Sequence, residues 1–418
     1  MQENRKVFGL SAERGRWIFL ALGFMIYLIN GSIYSWSIFR KPLEQLFSVG
    51  ATESGLPYMV YLGFSAVTMV IAGRWLATYG PRVVIILGAT ILGAGWILSS
   101  FAPSMIFMVL SFGIIAGGGS GILYGGPIAV STRWFPDKKG LAVGLVLVGI
   151  GSSPVIMAPL TQMFVDRYGP LQTFGMLGAL FLALMVIFAI PLRFPPLDWK
   201  PRRCLVPETR CVAVAEIDTS KMIKTSTFYL LWSCYLIGSL SGLMAIGISS
   251  PVGQELIRID PQTSAMTVSI FAVFNGIGRP LFGWLSDRIT ARYAALVSFI
   301  IIFGASIGMA NAGEGRVLLY VLSFSGFWLA LGGWLTMAPT YTATFFGTQN
   351  HSKNYGVLFT AYGLGAIVGT LFSGTIRDIF GSYIYTFYPL AALACFGMIL
   401  AVILTKPLKT PRYDGAFT

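Results

Sequence analysis

The sequence predicts an all-α protein that crosses a membrane twelve times, as two pseudo-symmetric halves of six helices each. Composition is the first reason. Of 418 residues, 55% are hydrophobic and 11% charged, with a mean hydropathy of +0.74, where a soluble domain carries about 25% charged residues. The second is a series of apolar runs long enough to cross roughly 30 Å of hydrocarbon. The third is an internal repeat that relates the first half of the chain to the second.

Taken in order, spans are expected near 17–39, 54–77, 82–101, 104–132, 140–164 and 170–192. Six more are expected near 226–250, 262–285, 292–311, 316–342, 354–376 and 382–404. Met1 to Arg16 is polar and basic and carries no cleavable signal pattern, and the run from Trp17 is long enough to remain as a span. Between the sixth and seventh spans lies the one long polar stretch, from Phe194-Pro195-Pro196 to Lys224. It divides the chain into an N-terminal half (1–193), a linker (194–224) and a C-terminal half (225–418).

The repeat supports that division. Gly73-Arg74-Trp75-Leu76 to Arg82 follows span two, and Gly283-Trp284-Leu285 to Arg292 follows span eight, 210 residues later (283 − 73). Asp166-Arg167-Tyr168-Gly169 after span five matches Asp378-Ile379-Phe380-Gly381 after span eleven, at an offset of 212 (378 − 166).

Charge sets the orientation. With both termini on one side, that side holds 22 of the 29 lysines and arginines, the other side holds 6, and Arg279 is left over. The basic side is therefore expected in the cytoplasm. The formal charge of +13 is thereby a topogenic feature, and nucleic-acid binding is not needed to explain it. The sixteen acids fall nine and seven on the two sides, with none in the membrane core. Four cysteines form no framework: Cys204 and Cys211 lie in the linker, Cys234 and Cys395 in apolar runs.

Arg279 is the anomaly. It stands in Asn275-Gly276-Ile277-Gly278-Arg279-Pro280, inside an apolar run from Thr267 to Trp284. An arginine at such depth costs roughly 3 kcal/mol to insert and usually faces a cavity or a partner; the alternative is an arginine near a helix end that snorkels to the headgroups. With no carboxylate nearby, a substrate carboxylate can supply the counter-charge through two parallel hydrogen bonds, a geometry that arginine fits and lysine does not. Asn275 lies one turn earlier on the same face and either orients the fork, donates to substrate, or makes a helix–helix contact. Gly276 and Gly278 read as packing positions.

Specific motifs carry a family resemblance. The halves, the two Gly-to-Arg loops and the central linker resemble the major facilitator superfamily, although Ala77 and Thr78 stand where its first loop has Asp and Arg. Tyr34-Ser35-Trp36, Arg133-Trp134-Phe135-Pro136-Asp137-Lys138-Lys139-Gly140, Asn275 to Pro280 with Gly283 and Ser286-Asp287, and Asn354-Tyr355-Gly356 are similar to one branch. That branch holds the monocarboxylate transporters and their bacterial relatives, including the oxalate/formate exchanger. The resemblance implies a second intramembrane cation, a lysine, in span eleven of the oxalate exchanger; alignment from Asn354 places Tyr362 there. One cation suits one carboxylate, since a dianion would keep an unpaired charge in a low-dielectric site. Tyr362 either donates to a 2-hydroxy or 2-keto oxygen or simply packs. The resemblance also places Tyr124 at the substrate. Tyr34 is a similar candidate, and Leu28 and Leu145 fall at depths suited to an apolar wall around a methyl group.

The expected function is transport of small monocarboxylates of the lactate and pyruvate class by alternating access, as proton symport in a bacterial inner membrane. One copy is expected to suffice. In mammalian members an Asp precedes the Arg by one turn and a Lys lies in span one; Asn275 and Ile38 occupy those positions here, so no proton carrier is evident. Carboxylate exchange and an anion channel are the rival functions. An enzyme is not expected, nor a cofactor, because metal-ligand spacing and a nucleophile–base set are lacking. Gly117-Gly118-Gly119-Ser120-Gly121 reads as close helix packing, since no Lys follows it as in a phosphate loop. Pro127, Pro154, Pro159 and Pro339 fit bent spans, Asn30-Gly31-Ser32 lies too deep for glycosylation, and His351 reads as a solvated loop residue.

Overall fold

The computed structural model describes residues 6–135, 139–196, 217–347 and 350–404. Twelve helices among these are long and apolar enough to cross a membrane. The first six are α1 (Ala12–Phe47), α2 (Ala51–Leu76), α3 (Thr78–Ser99), α4 (Met105–Trp134), α5 (Leu141–Tyr168) and α6 (Pro170–Ala189). The second six are α7 (Ser226–Ile257), α8 (Pro261–Ser286), α9 (Ala291–Ala310), α10 (Val317–Phe346), α11 (Lys353–Phe380) and α12 (Tyr383–Ile403). Each set packs within itself, and the sets meet along α2 with α11, α5 with α8, and α1 with α7. The face carrying the start of α1 and the end of α12 is termed here the termini face, and the opposite one the far face.

Small residues set the packing. A Cβ on Gly117, Gly119 or Gly121 would come within 2.7 Å of α2 or α3 atoms, so the glycine run of α4 lets three helices touch backbone to backbone, as expected. In α1, a tight 3₁₀ stretch from Gly31 to Ser35 interrupts the α-helix. There Gly31 lies against Ile150 and Ser153 of α5.

Glycines also report where the halves separate. A Cβ on Gly363 would lie 3.4 Å from Ala66, and one on Gly151 would lie 2.9 Å from Asn275. Seven residues along the same helix faces toward the termini face, a Cβ on Gly73, Gly144 or Gly356 would meet nothing within 4 Å. The protein is therefore closed at its far face and open toward its termini face.

The main departure from the sequence reading is the length of spans at the far face, span five among them, which runs to Tyr168 rather than 164. Span one runs to Phe47 rather than 39, span seven to Ile257 rather than 250, and span eleven to Phe380 rather than 376. Arg40, Lys41, Glu44, Glu255, Arg377 and Asp378 are thereby inside helices rather than in loops. Arg40 is 1% exposed, so Arg279 is not the one arginine buried between the halves. The reason is mutual neutralisation: charges read as end markers can stay in a helix when opposite charges meet them. Pro136 to Lys138, residues 197–216 of the linker with Cys204 and Cys211, and the basic stretch Lys406 to Arg412 lie outside the described residues, as do the side chains of Asp287 and His351.

Candidate functional site

A cavity lies between the halves. Asn30, Ile33 and Tyr34 of α1, Tyr61, Leu62, Ser65 and Met69 of α2, Ser120, Gly121 and Tyr124 of α4, and Ile150 of α5 line it on one side. Leu335 of α10 with Phe359 and Tyr362 of α11 line the other. Four of these are tyrosines, so the wall is apolar in area with hydroxyls at fixed points, the usual make-up of a small-molecule site.

The tyrosines are held in place. The hydroxyls of Tyr34 and Tyr362 lie 3.1 Å apart, joining α1 of one half to α11 of the other. Tyr34 is edge-on to Trp328, and Tyr362 stacks on Phe359. Tyr27 donates its hydroxyl to the backbone carbonyl of Tyr124. Ser120 donates to Asn30 Oδ1 at 2.8 Å, which ties α4 to α1 at the cavity wall.

Arg279 sits beside the cavity in the α5–α8 seam. It is 6% exposed. Its Nη1 donates to the Leu147 carbonyl at 2.9 Å, across the boundary between the halves, and its Nη2 donates to Asn275 Oδ1 at 3.4 Å. Asn275, fully buried, donates its own amide to the Trp328 carbonyl at 3.0 Å, so it both touches the fork and makes a contact between α8 and α10. Nε of Arg279 is buried with no partner among the described residues. No described acid pairs with the guanidinium; its acceptors are neutral. It lies within electrostatic reach of the hydroxyls of Tyr27, Tyr124 and Tyr355. Gly278 packs against Leu329 of α10, whereas Gly276 faces open space.

The structure thus brings Tyr34, Tyr124 and Tyr362 to the cavity and sets Arg279 and Asn275 at its side. The two leucines are placed elsewhere. Leu28 is buried against α5, its amide close to Gly149, and does not line the cavity. Leu145 is 42% exposed; the lining residue of α5 is Ile150, which lies about 140° around the helix from it. Asn30, Ser120 and Tyr61 went unrecognised as lining, although a polar Asn in an apolar span was a usable signal.

Two helical bundles enclosing a central site, closed at one face and open at the other, have the architecture of a membrane transporter. The chain belongs to the Major Facilitator Superfamily, whose family model matches residues 18–327. It is a transporter and not an enzyme. The oxalate:formate antiporter of Oxalobacter formigenes is 26% identical over 372 residues, covering 88% of this chain and 86% of its own. Monocarboxylate transporter 13 of Rattus norvegicus is 24% identical over 400 residues, covering 94% and 89%. Among solved structures, a bacterial homologue of the human lysosomal transporter Spinster, in an inward-facing and unoccupied conformation, shares the fold with a TM-score of 0.69 at 16% identity. It covers 93% of this chain and 94% of that one.

Proposed function

We propose that this chain carries short monocarboxylates of the lactate and pyruvate class by alternating access, each anion moving with a proton. The observation that carries the reading is Arg279, a buried guanidinium beside the cavity whose acceptors are neutral and whose Nε has no partner among the described residues. A carboxylate entering there gains charge-assisted hydrogen bonds that no described protein group supplies. One such cation favours a monoanion. Arg40, the other arginine buried between the halves, has its own counter-charge in Glu44, 3.9 Å away, besides donating to Ser54, Gly247 and Ala51, and does not add a charge to the cavity. Tyr362 and Tyr34 are then the hydroxyl pair for a 2-oxygen, and Tyr124 reaches the anion from the other half.

The termini face is cytoplasmic in this reading, so the far face is external and the membrane is the bacterial inner membrane. The halves are residues 1–193 and 225–418, joined by the linker. Symport keeps monoanion transport electroneutral. A specific observation favours a second reading: the similarity to an oxalate:formate antiporter supports carboxylate exchange without protons. Labelled lactate uptake into proteoliposomes, competed by mono- and dicarboxylates with and without an inward proton gradient, separates the two. Symport requires stimulation by the gradient, and exchange requires stimulation by carboxylate inside. Preference for oxalate over lactate overturns the monoanion reading, and so does a Tyr362→Lys variant whose preference between the two is unchanged.

A further inference from the structure

The repeat that relates the halves is broken where the far face closes. Spans α2 and α8 begin at Ala51 and Pro261, 210 residues apart (261 − 51). The start of α8 is capped from within: Asp260 accepts from the Thr263 amide at 2.9 Å, and Pro261 has no N–H to satisfy. The equivalent of Asp260 is Gly50, which has no side chain to act as a cap. The first two amides of α2, Ala51 and Thr52, donate instead to Asp378 Oδ1 and Oδ2, at 2.8 Å each. Asp378 belongs to α11, in the other half. A Cβ on Gly50 would lie 3.0 Å from both carboxylate oxygens, so only glycine leaves that carboxylate its place.

Other cross-half bonds surround this cap. Lys41 of α1 pairs with Glu255 of α7, and each is braced in its own half. Glu44 holds Lys41 at 3.0 Å, and the Arg377 fork holds Glu255 at 3.1 and 3.2 Å. Arg40 donates to the Gly247 carbonyl at 3.2 Å. The N-terminal half contributes Arg40, Lys41 and Glu44, with a net positive charge; the C-terminal half contributes Glu255, Arg377 and Asp378, with a net negative one. Their attraction is largest with the far face closed and falls as the halves part and water enters.

We propose that Asp378 is a helix cap supplied in trans, present only while the far face is closed, and that with Lys41–Glu255 it latches the carrier in that state. The start of α8 carries its cap through the whole cycle; the start of α2 loses its cap on opening. The latch concerns the conformational cycle and holds whatever the cargo, so it stands or falls separately from the monocarboxylate reading.

The test uses the full chain in lipid nanodiscs with its four cysteines replaced and spin labels at the exposed far-face positions Gln45 and Glu314. Loss of a cap is worth about a fivefold change in an equilibrium, so Asp378→Ala should raise the far-open population about fivefold and lower thermal stability. Adding Gly50→Asp to Asp378→Ala gives α2 its own cap, as Asp260 gives α8. Thermal stability should recover while the far-open shift persists. Two results overturn the proposal: no change in the label distances on Asp378→Ala, or a cis cap that restores the closed population together with stability. Where Asp378→Ala does not fold, Glu255→Gln is read the same way, and an unshifted distance distribution rejects the latch.

Discussion

The two main seams between the halves are related by the internal repeat, yet they are built from different chemistry. Along α5–α8 the cross-half bonds among the described residues end on neutral acceptors: Arg279 donates to the Leu147 carbonyl and Ser269 to the Pro154 carbonyl, at 2.9 and 3.1 Å. Along α2–α11 and the neighbouring α1–α7 contact, carboxylates meet lysine and helix amides. The difference separates two tasks. A carbonyl holds a guanidinium without cancelling its charge, which leaves that charge available to an anion. Opposite charges cancel and hold each other, which suits a latch and spoils a binding site.

Removing the uncancelled charge should have the largest effect. Arg279→Gln should insert normally and lose carboxylate uptake by about a hundredfold, the cost of deleting one partner of a buried charge pair. Arg279→Lys should not rescue it, because an ammonium cannot reach Leu147 and Asn275 as one rigid fork. Near-normal uptake by either variant, measured against membrane content, would remove the distinction between the seams.

The charged seam offers the next test. Lys41→Glu alone sets three acids against one another with Glu44 and Glu255, and Glu255→Lys alone sets Lys41 and Arg377 against a third cation. Either single change should slow net uptake about tenfold by unbalancing the far-face equilibrium, with Lys41→Glu/Glu255→Lys recovering part of the loss. Equal rates in the single and double variants would show that the pair does not act across the seam. Measured in rising salt, wild-type uptake should respond through the half-exposed latch more than through buried Arg279.

Much of this contrast was present in the sequence, unevenly. The spans followed from hydropathy alone, because backbone groups in a bilayer leave helices as the form such apolar runs adopt. Met105–Trp134 and Pro170–Ala189 begin within a residue of expectation. Far-face ends were misplaced for a physical reason: Arg40, Lys41 and Asp378 look like loop residues until their partners, hundreds of positions away, are known. Arg279 stood out because its cost is local and its partners are neutral, so no acid nearby in sequence explained it away. Tyr34 and Tyr362, 328 residues apart, meet only through the folding of both halves. Gly50 carried no signal by itself; its meaning appears on comparison with Asp260 and with Asp378 in place.

A third prediction probes how closely the neutral seam is fitted. Gly151 faces Asn275 Oδ1 and Arg279 Nε, 2.9 and 3.2 Å from where its Cβ would sit. Gly151→Ala should push the fork off its acceptors and raise the KM for lactate about tenfold, an ordinary overpacking cost. Gly144, seven residues nearer the termini face and open around its Cβ position, should accept alanine with no change in KM. Matching behaviour of the two variants would mean that the α5–α8 contact does not position Arg279.

The smallest effect separates two faces of α5. Ile150 lines the cavity, and Leu145 is 42% exposed on the outside of the bundle. Trimming Ile150 to alanine removes apolar surface that a bound methyl group would touch, and a difference of that size in a pocket is worth a few-fold to tenfold in discrimination. Lactate should then lose to longer 2-hydroxy acids in competition with Ile150→Ala, with total uptake little reduced. Leu145→Ala should leave the competition order unchanged, since its side chain is on the far side of the helix from the cavity. The pair also checks the seam comparison, because Ile150 is followed at once by Gly151. If Leu145→Ala shifted selectivity and Ile150→Ala did not, α5 would present a different face to the substrate. The Arg279–Leu147 bond would then mark a resting contact rather than the wall of the binding site.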